Sequence, residues 1–122
     1  MAVSNISIAQ ISGAYLFNDS ANGATVVAVK ASSGTIYEME LDNSANGAAT
    51  YFKLFNVAAG SVVLGTTAPD LILLVPASTK ITLVFPSGLA MGTAISCASV
   101  TDKAVTSTDA PSSSFVVKMV YT

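Results

Sequence analysis

Apolar residues recur at alternate positions in short runs along this chain, and each run is bounded by Gly, Pro, Asn, Asp or Ser. The pattern is clearest over residues 37–42, where Tyr, Met and Leu alternate with two Glu and an Asp. A two-residue period places alternate side chains on opposite faces of a β-strand. No long stretch follows the 3.6-residue period of an amphipathic helix. The pattern therefore predicts an all-β fold.

Eight strands are predicted from these runs and from the turn residues between them. Their approximate bounds are Ser4–Ile11, Thr25–Lys30, Thr35–Asp42, Thr50–Asn56, Asp70–Val75, Lys80–Phe85, Thr93–Val100 and Ser114–Tyr121. We expect one domain over residues 1–122, an eight-stranded antiparallel β-sandwich. The uneven loops favour a jelly roll, with an immunoglobulin-like sandwich as the alternative. The polar stretch 101–114 is typical of a long mobile loop.

One predicted strand is apolar on both faces. Residues 71–75 read Leu-Ile-Leu-Leu-Val, and prolines stand at positions 69 and 76. A strand of this kind is either central in its sheet or lies at an interface. The candidate interface residues are Leu71, Leu73 and Val75 on this strand, and Tyr51, Phe55 and Val57 on an alternative face.

The composition indicates association. Charged residues form 10% of the chain, against about 25% in typical globular domains, and 52% of its 122 residues are hydrophobic. A monomer of this size has few ways to hide so much apolar material, and exposed apolar patches usually mark interaction sites. We therefore expect whole faces of the domain to be buried against partners.

The charge distribution argues against two classes of partner. The formal net charge is −2, and all five basic residues are lysines spread along the chain. Nucleic-acid binding needs a basic patch that this spread does not provide. No apolar run approaches the ~20 residues that span a bilayer, and the first residues lack the pattern of a signal peptide. We expect neither nucleic acid nor membrane as a partner, and assembly in the cytoplasm.

The chain lacks the residues that most catalysts use. Histidine is absent, which removes the commonest general base and a frequent transition-metal ligand. The eight glycines form no phosphate-binding motif. The single cysteine, Cys97, has no neighbouring cation to lower its pKa and is interpreted as a small strand residue. We expect no enzymatic activity, no cofactor and no metal.

The one acidic cluster is Glu38, Glu40 and Asp42, which would line one strand face at about 7 Å spacing. We interpret it as a solvated face, with a weak cation site as the alternative. An acid-only hydrolase using Glu38 and Glu40 also stays open, although such carboxylate pairs normally flank a cleft that contains aromatic residues.

Two segments, 18–24 and 42–48, are near copies that each contain Asn-Gly before a strand. Asn-Gly favours tight turns because both residues tolerate positive φ. The second copy overlaps the start of an EF-hand loop, but the position of its last ligand, which requires an acid, holds Lys53. We interpret both segments as turns.

The segment Glu40–Asn56, followed by Leu64–Asp70, resembles small β proteins of tailed bacteriophages and cyanophages, among them capsid cement (decoration) proteins. The likeness continues through residues 75–77 and 85–90 to 94–96. It implies a virion protein on the outer capsid surface, a homo-oligomer (trimer or dimer) that bridges subunits of the major capsid protein, and it transfers no site residues. The alternative is a carbohydrate- or receptor-binding module of a phage tail or fibre.

Overall fold

A computed structural model describes residues 13–122 of the protein, which form two antiparallel sheets of four strands. The strands are β1 (Tyr15–Asp19), β2 (Val27–Lys30), β3 (Gly34–Asp42), β4 (Thr50–Phe55), β5 (Leu71–Val75), β6 (Lys80–Met91), β7 (Ile95–Val100) and β8 (Val116–Tyr121). A single 3-10 turn, Ala59–Ser61, lies between β4 and β5. Sheet A has the order β1-β8-β3-β6, and sheet B has the order β2-β7-β4-β5.

The prediction of an antiparallel β-sandwich is confirmed. Seven of the predicted strands overlap observed ones. The eighth, Ser4–Ile11, lies outside the described residues, and β1 was not predicted. The two sheets share one apolar core, in which the rings of Phe52 on β4 and Phe115 before β8 lie 6.4 Å apart. Each large apolar side chain buried there contributes about 1.5–3 kcal/mol relative to exposure.

The strand pairing is nested. The first strand pairs with the last, the second with the seventh, the third with the sixth and the fourth with the fifth. The pairs β3·β8 and β4·β7 complete the two sheets. In an immunoglobulin-like sandwich the first two strands share a sheet, whereas here β1 and β2 lie in different sheets.

β6 extends six residues beyond its predicted end at Phe85. Pro86 is tolerated because β6 is an edge strand, where a missing N–H breaks no ladder. The pairing with β3 shifts register here, so that Tyr37 stands opposite the bulge at residues 85–88. Gly88 has φ +79°, and a Cβ at this position would collide with the side chain of Thr35. The Pro-Ser-Gly sequence thus bends the strand and does not end it.

The two near-copy turns each carry the chain from sheet A to sheet B. Asp19 Oδ1 accepts the backbone N–H of Ala21 at 3.1 Å, and Asp42 Oδ1 accepts that of Ser44 at 2.9 Å. The expectation of positive φ at Asn-Gly is wrong, because neither Gly23 nor Gly47 adopts it. Asx turns formed by the aspartates bend the backbone there.

Buried asparagine side chains then fix both turns to the sandwich. Asn43 is fully buried and donates from Nδ2 to the carbonyl oxygens of Val75 and Pro76 at 3.1 and 3.0 Å. In the first turn, Asn22 Oδ1 accepts the hydroxyl of Ser99 on β7. The polar turn residues therefore act as structural links between sheets.

Candidate interaction surface

The outer face of sheet B is covered by the chain itself. Phe55, Ala98 and Val100 have no exposed surface, yet none of them belongs to the core cluster between the sheets. They alternate with core residues on β4 and β7, so they lie on the opposite face of the sheet. A second, smaller apolar cluster therefore lies beneath loops on this face.

Lys53 holds one of these loops in place. It lies on β4 between the core residues Phe52 and Leu54, and 1% of its surface is exposed. Its Nζ donates to three backbone carbonyls of the segment 101–108, which we call the strap: 2.9 Å to Ala104 and 3.3 Å each to Val105 and Ser107. Burial lowers the pKa of Lys53 below 10.5, and Asp102 partly opposes the shift. The strap is thus bound to the sheet by a buried cation.

The connection between β4 and β5, residues 56–70, covers a further part of this face. Ser96 on β7 donates its hydroxyl to the carbonyl of Val57 at 2.6 Å. Asn56 Oδ1 accepts the backbone N–H of Thr93 at 2.8 Å. The connection also contacts the strap, since a Cβ on Gly65 would lie 2.8 Å from Thr108 Cγ2. The two segments form one continuous cover.

This cover removes part of the predicted interface from the surface. Phe55 is completely buried beneath it. Val57 is half-buried, and its carbonyl oxygen accepts the hydrogen bond from the Ser96 hydroxyl. Tyr51, which is also half-buried, is the second residue of β4. Phe55 is therefore not accessible to a partner, whereas Tyr51 and Val57 keep part of their surface.

The other predicted interface residues point inward. Val75 is fully buried, and Leu71 and Leu73 pack against the core cluster. The residues of β5 on the outer face are Ile72, which is half-buried, and Leu74, which is 52% exposed. Because all five residues of this run are apolar, the sequence did not distinguish the outer residues, Ile72 and Leu74, from the inner ones. The residues predicted from the sequence, Leu71, Leu73 and Val75, are the inner ones.

The outer face of sheet A is open. Glu38, Glu40 and Asp42 lie on this face of β3, as the alternation predicts, and each is partly exposed. Lys118 Nζ of β8 lies 3.7 Å from Glu40 Oε1, the one salt bridge found within residues 13–122. Hydrogen bonds from Ser44 lower the pKa of Asp42 below 3.8. The acidic cluster is therefore a solvated strand face on which Glu40 and Asp42 have local partners.

A shallow depression on the open face of sheet A has a volume of about 100 Å³. Leu16, Glu38, Lys118 and Val120 are among the residues that line it. Pockets for small organic ligands usually measure about 300–1,000 Å³. The depression is therefore too small to enclose such a ligand.

The structure also bears on two other candidate chemistries, a reactive cysteine and a metal site. Burial raises the pKa of the Cys97 thiol to about 12, and Asn22 Nδ2 lies 3.7 Å from its sulfur. The thiolate needed for nucleophilic attack is therefore scarce at neutral pH. Over residues 13–122, no group of three or more His, Cys, Asp or Glu side chains is placed to hold a metal ion.

No helix in the described part of the chain is long and apolar enough to cross a membrane.

The four sheet edges differ in how they resist pairing with another chain. Edge strands are usually protected by charges, proline or bulges. β1 contains Asp19, β2 has a bulge and Lys30, and β6 contains Lys80, Pro86 and a bulge. β5 has none of these devices, and its register with β4 is regular. Leu71–Val75 is thus the least protected edge of the described sandwich.

No protein-family model, no curated protein and no solved structure matches the chain.

Proposed function

We propose that the protein is a virion structural protein of the capsid cement type, which self-associates and stabilises the shell by bridging major capsid subunits on its outer surface. The resemblance of Glu40–Asn56 and the following segments to phage decoration proteins supplies the virion setting. In this proposal the protein has no enzymatic activity and works by burying surface against its partners. We further assign the sandwich to the jelly-roll type, one of the folds that virus capsid domains use.

The observation that carries the proposal is a contrast between two parts of sheet B: its centre is covered by loops, whereas its β5 edge is exposed. Loops seal sheet B through the buried Lys53, whereas the Leu71–Val75 edge carries exposed apolar atoms and no charge. Such an edge is costly to leave in water and gains free energy when another chain covers it. In a capsid shell, neighbouring chains lie close enough to cover such an edge.

Localisation in the particle tests the proposal directly. Virions would be labelled with antibody against this protein and imaged by electron cryomicroscopy. We expect density of its size on the outer shell, in contact with neighbouring major capsid subunits. Absence of the protein from purified virions, or density confined to the tail, would contradict the proposal.

One observation favours a second candidate, a carbohydrate-binding module of a tail or fibre. Tyr15 is 62% exposed, and its ring lies 5.6 Å from that of Tyr121. Exposed aromatic rings of this kind offer apolar faces on which sugars can stack. A glycan array probed with the wild-type protein and with Tyr15→Ala tests it: binding that Tyr15→Ala abolishes would support this candidate, and no binding would exclude it.

A further inference from the structure

We propose that β5 of one copy pairs antiparallel with β5 of a second copy, across a two-fold axis at Leu73, so that sheet B continues through both chains. This inference deepens the proposed structural role and rests on it, because it names the partner and the register of self-association.

The edge itself is the first argument. β5 pairs with β4 along one side, and among residues 13–122 no strand pairs with its other side. Alternate residues of an edge strand present N–H and C=O groups that remain unpaired. Pairing with another strand satisfies these groups, and β5 has no proline, bulge or charge within residues 71–75 to prevent it.

The second argument is the match of β5 to itself. With the axis at Leu73, Ile72 of each copy stands opposite Leu74 of the other, on the outer face of the joined sheet. Leu71 likewise stands opposite Val75 on the inner face. Every opposed pair is apolar, so no like charges meet across the axis, where they would destabilise the contact.

The flanking prolines keep the contact short, and its two-fold symmetry limits it to two copies. Pro69 and Pro76 stand just beyond the two ends of β5 and have no N–H to donate, which confines the added ladder to a short segment. A two-fold contact uses the β5 edge of both copies and is closed, so it does not propagate into a fibre. The edge of β6, which a four-residue connection places beside β5, retains Pro86 and its bulge.

A second copy is the occupant that these features favour. The nearest charges in the sequence are Asp70 and Lys80, and Asp70 already accepts the backbone N–H of Asn56 at 2.6 Å. A partner chosen by charge would have little to recognise on β5, whereas an identical apolar strand fits it residue by residue. The contact is short compared with standard interfaces, so we expect a dissociation constant in the micromolar range.

Sedimentation equilibrium of the full chain gives the first test. Wild-type protein should dimerise at micromolar concentration, and Leu74→Lys should raise the dissociation constant at least about tenfold, because two lysines would face the apolar Ile72 positions. Leu16→Lys is the matched control: Leu16 is 67% exposed on β1, at the far edge of sheet A, and its substitution should leave the constant unchanged. Circular dichroism would establish that both variants fold.

Disulfide trapping tests the register. Opposed residues in an antiparallel pair lie about 4.5–5.5 Å apart at Cα, within reach of a disulfide, whereas diagonal positions lie about 7–8 Å apart. Ile72→Cys/Leu74→Cys should therefore form covalent dimers under mild oxidation, and Ile72→Cys alone should form far fewer. The native Cys97 is fully buried and should not interfere.

Each outcome decides the proposal. A wild-type monomer at high micromolar concentration would overturn β5 pairing and leave the edge to a strand of another protein. A dimer that Leu74→Lys leaves intact, or that the paired cysteines do not trap, would overturn it equally. Binding to capsids is measured separately: a dimer found on the virion that does not pair through β5 would refute only this inference, and a β5 dimer absent from virions would refute only the proposed function.

Discussion

The outer faces of the two sheets are built from similar strands, but loops cover the centre of one face and leave the other open to solvent. On sheet B, residues such as Phe55 and Val100 are fully buried under the strap and the β4–β5 connection. On sheet A, Leu16 and Val84 are 67% and 62% exposed beside paired charges. The difference shows that the long loops of this protein complete its packing on one side. Within residues 13–122, the sheet surfaces that the loops leave bare therefore include the outer face of sheet A and the β5 edge.

The largest expected effect comes from the covered face. Phe55→Ala should lower the free energy of unfolding by about 3–5 kcal/mol, because it leaves a cavity beneath loops that cannot fully collapse. Val84→Ala on the open face should cost less than about 1 kcal/mol. Urea denaturation of both variants measures the contrast. Equal losses would show that the two faces do not differ in packing.

Lys53→Met sharpens the comparison by releasing the strap. The variant keeps most of the apolar stem and loses the three N–H donors, and we expect the free energy of unfolding to fall by about 1–3 kcal/mol. Hydrogen exchange should accelerate in residues 101–108 and stay slow in β4. Lys118→Met, a substitution on the open face, is the control. Unchanged exchange in the strap would contradict the role assigned to Lys53.

The pH dependence of stability follows from the same lysine. Its pKa in the folded chain is below the ordinary 10.5, so between these two values the unfolded state binds more protons than the folded state. The free energy of unfolding should therefore rise with pH through this interval. Denaturation curves from pH 8 to 10.5 should show this gain in the wild type relative to Lys53→Met. Parallel curves for the two proteins would refute it.

The smallest effect is expected for the salt bridge on sheet A. Glu40→Gln should cost at most about 1 kcal/mol, since exposed ion pairs contribute little and are screened by salt. The difference between wild type and variant should shrink when the salt concentration is raised to 1 M. A loss that is larger and insensitive to salt would mean that this face is less solvated than the structure indicates.

The strands could be predicted from the sequence mainly where a two-residue period is present, as in β3 and β8. β1 was missed because the apolar run Tyr15–Phe17 is short and has no two-residue period, and β6 was ended too early because Pro86 and Gly88 usually interrupt a strand. The strand order could not be predicted, since it depends on contacts between residues far apart in sequence, such as those between β1 and β8.

The candidate interface stays a prediction, and only its strand is observed. Leu71–Val75 was predicted as an apolar strand, but its outer residues Ile72 and Leu74 could not be distinguished from the inner ones in an unbroken apolar run. The cover on sheet B was missed, although one signal existed: Lys53 is a lone charge between aromatic and aliphatic residues on both sides. A lysine in that setting indicates a buried partner for its ammonium group.

Hydrogen exchange of the wild-type protein at two concentrations tests the central claim most directly, namely that the bare β5 edge is where copies of this chain meet. At high micromolar concentration the amides of Leu71–Val75 should gain protection relative to a dilute sample, while those of the strap should stay the same. Protection of β5 that does not depend on concentration, or a gain confined to another strand, would contradict the claim.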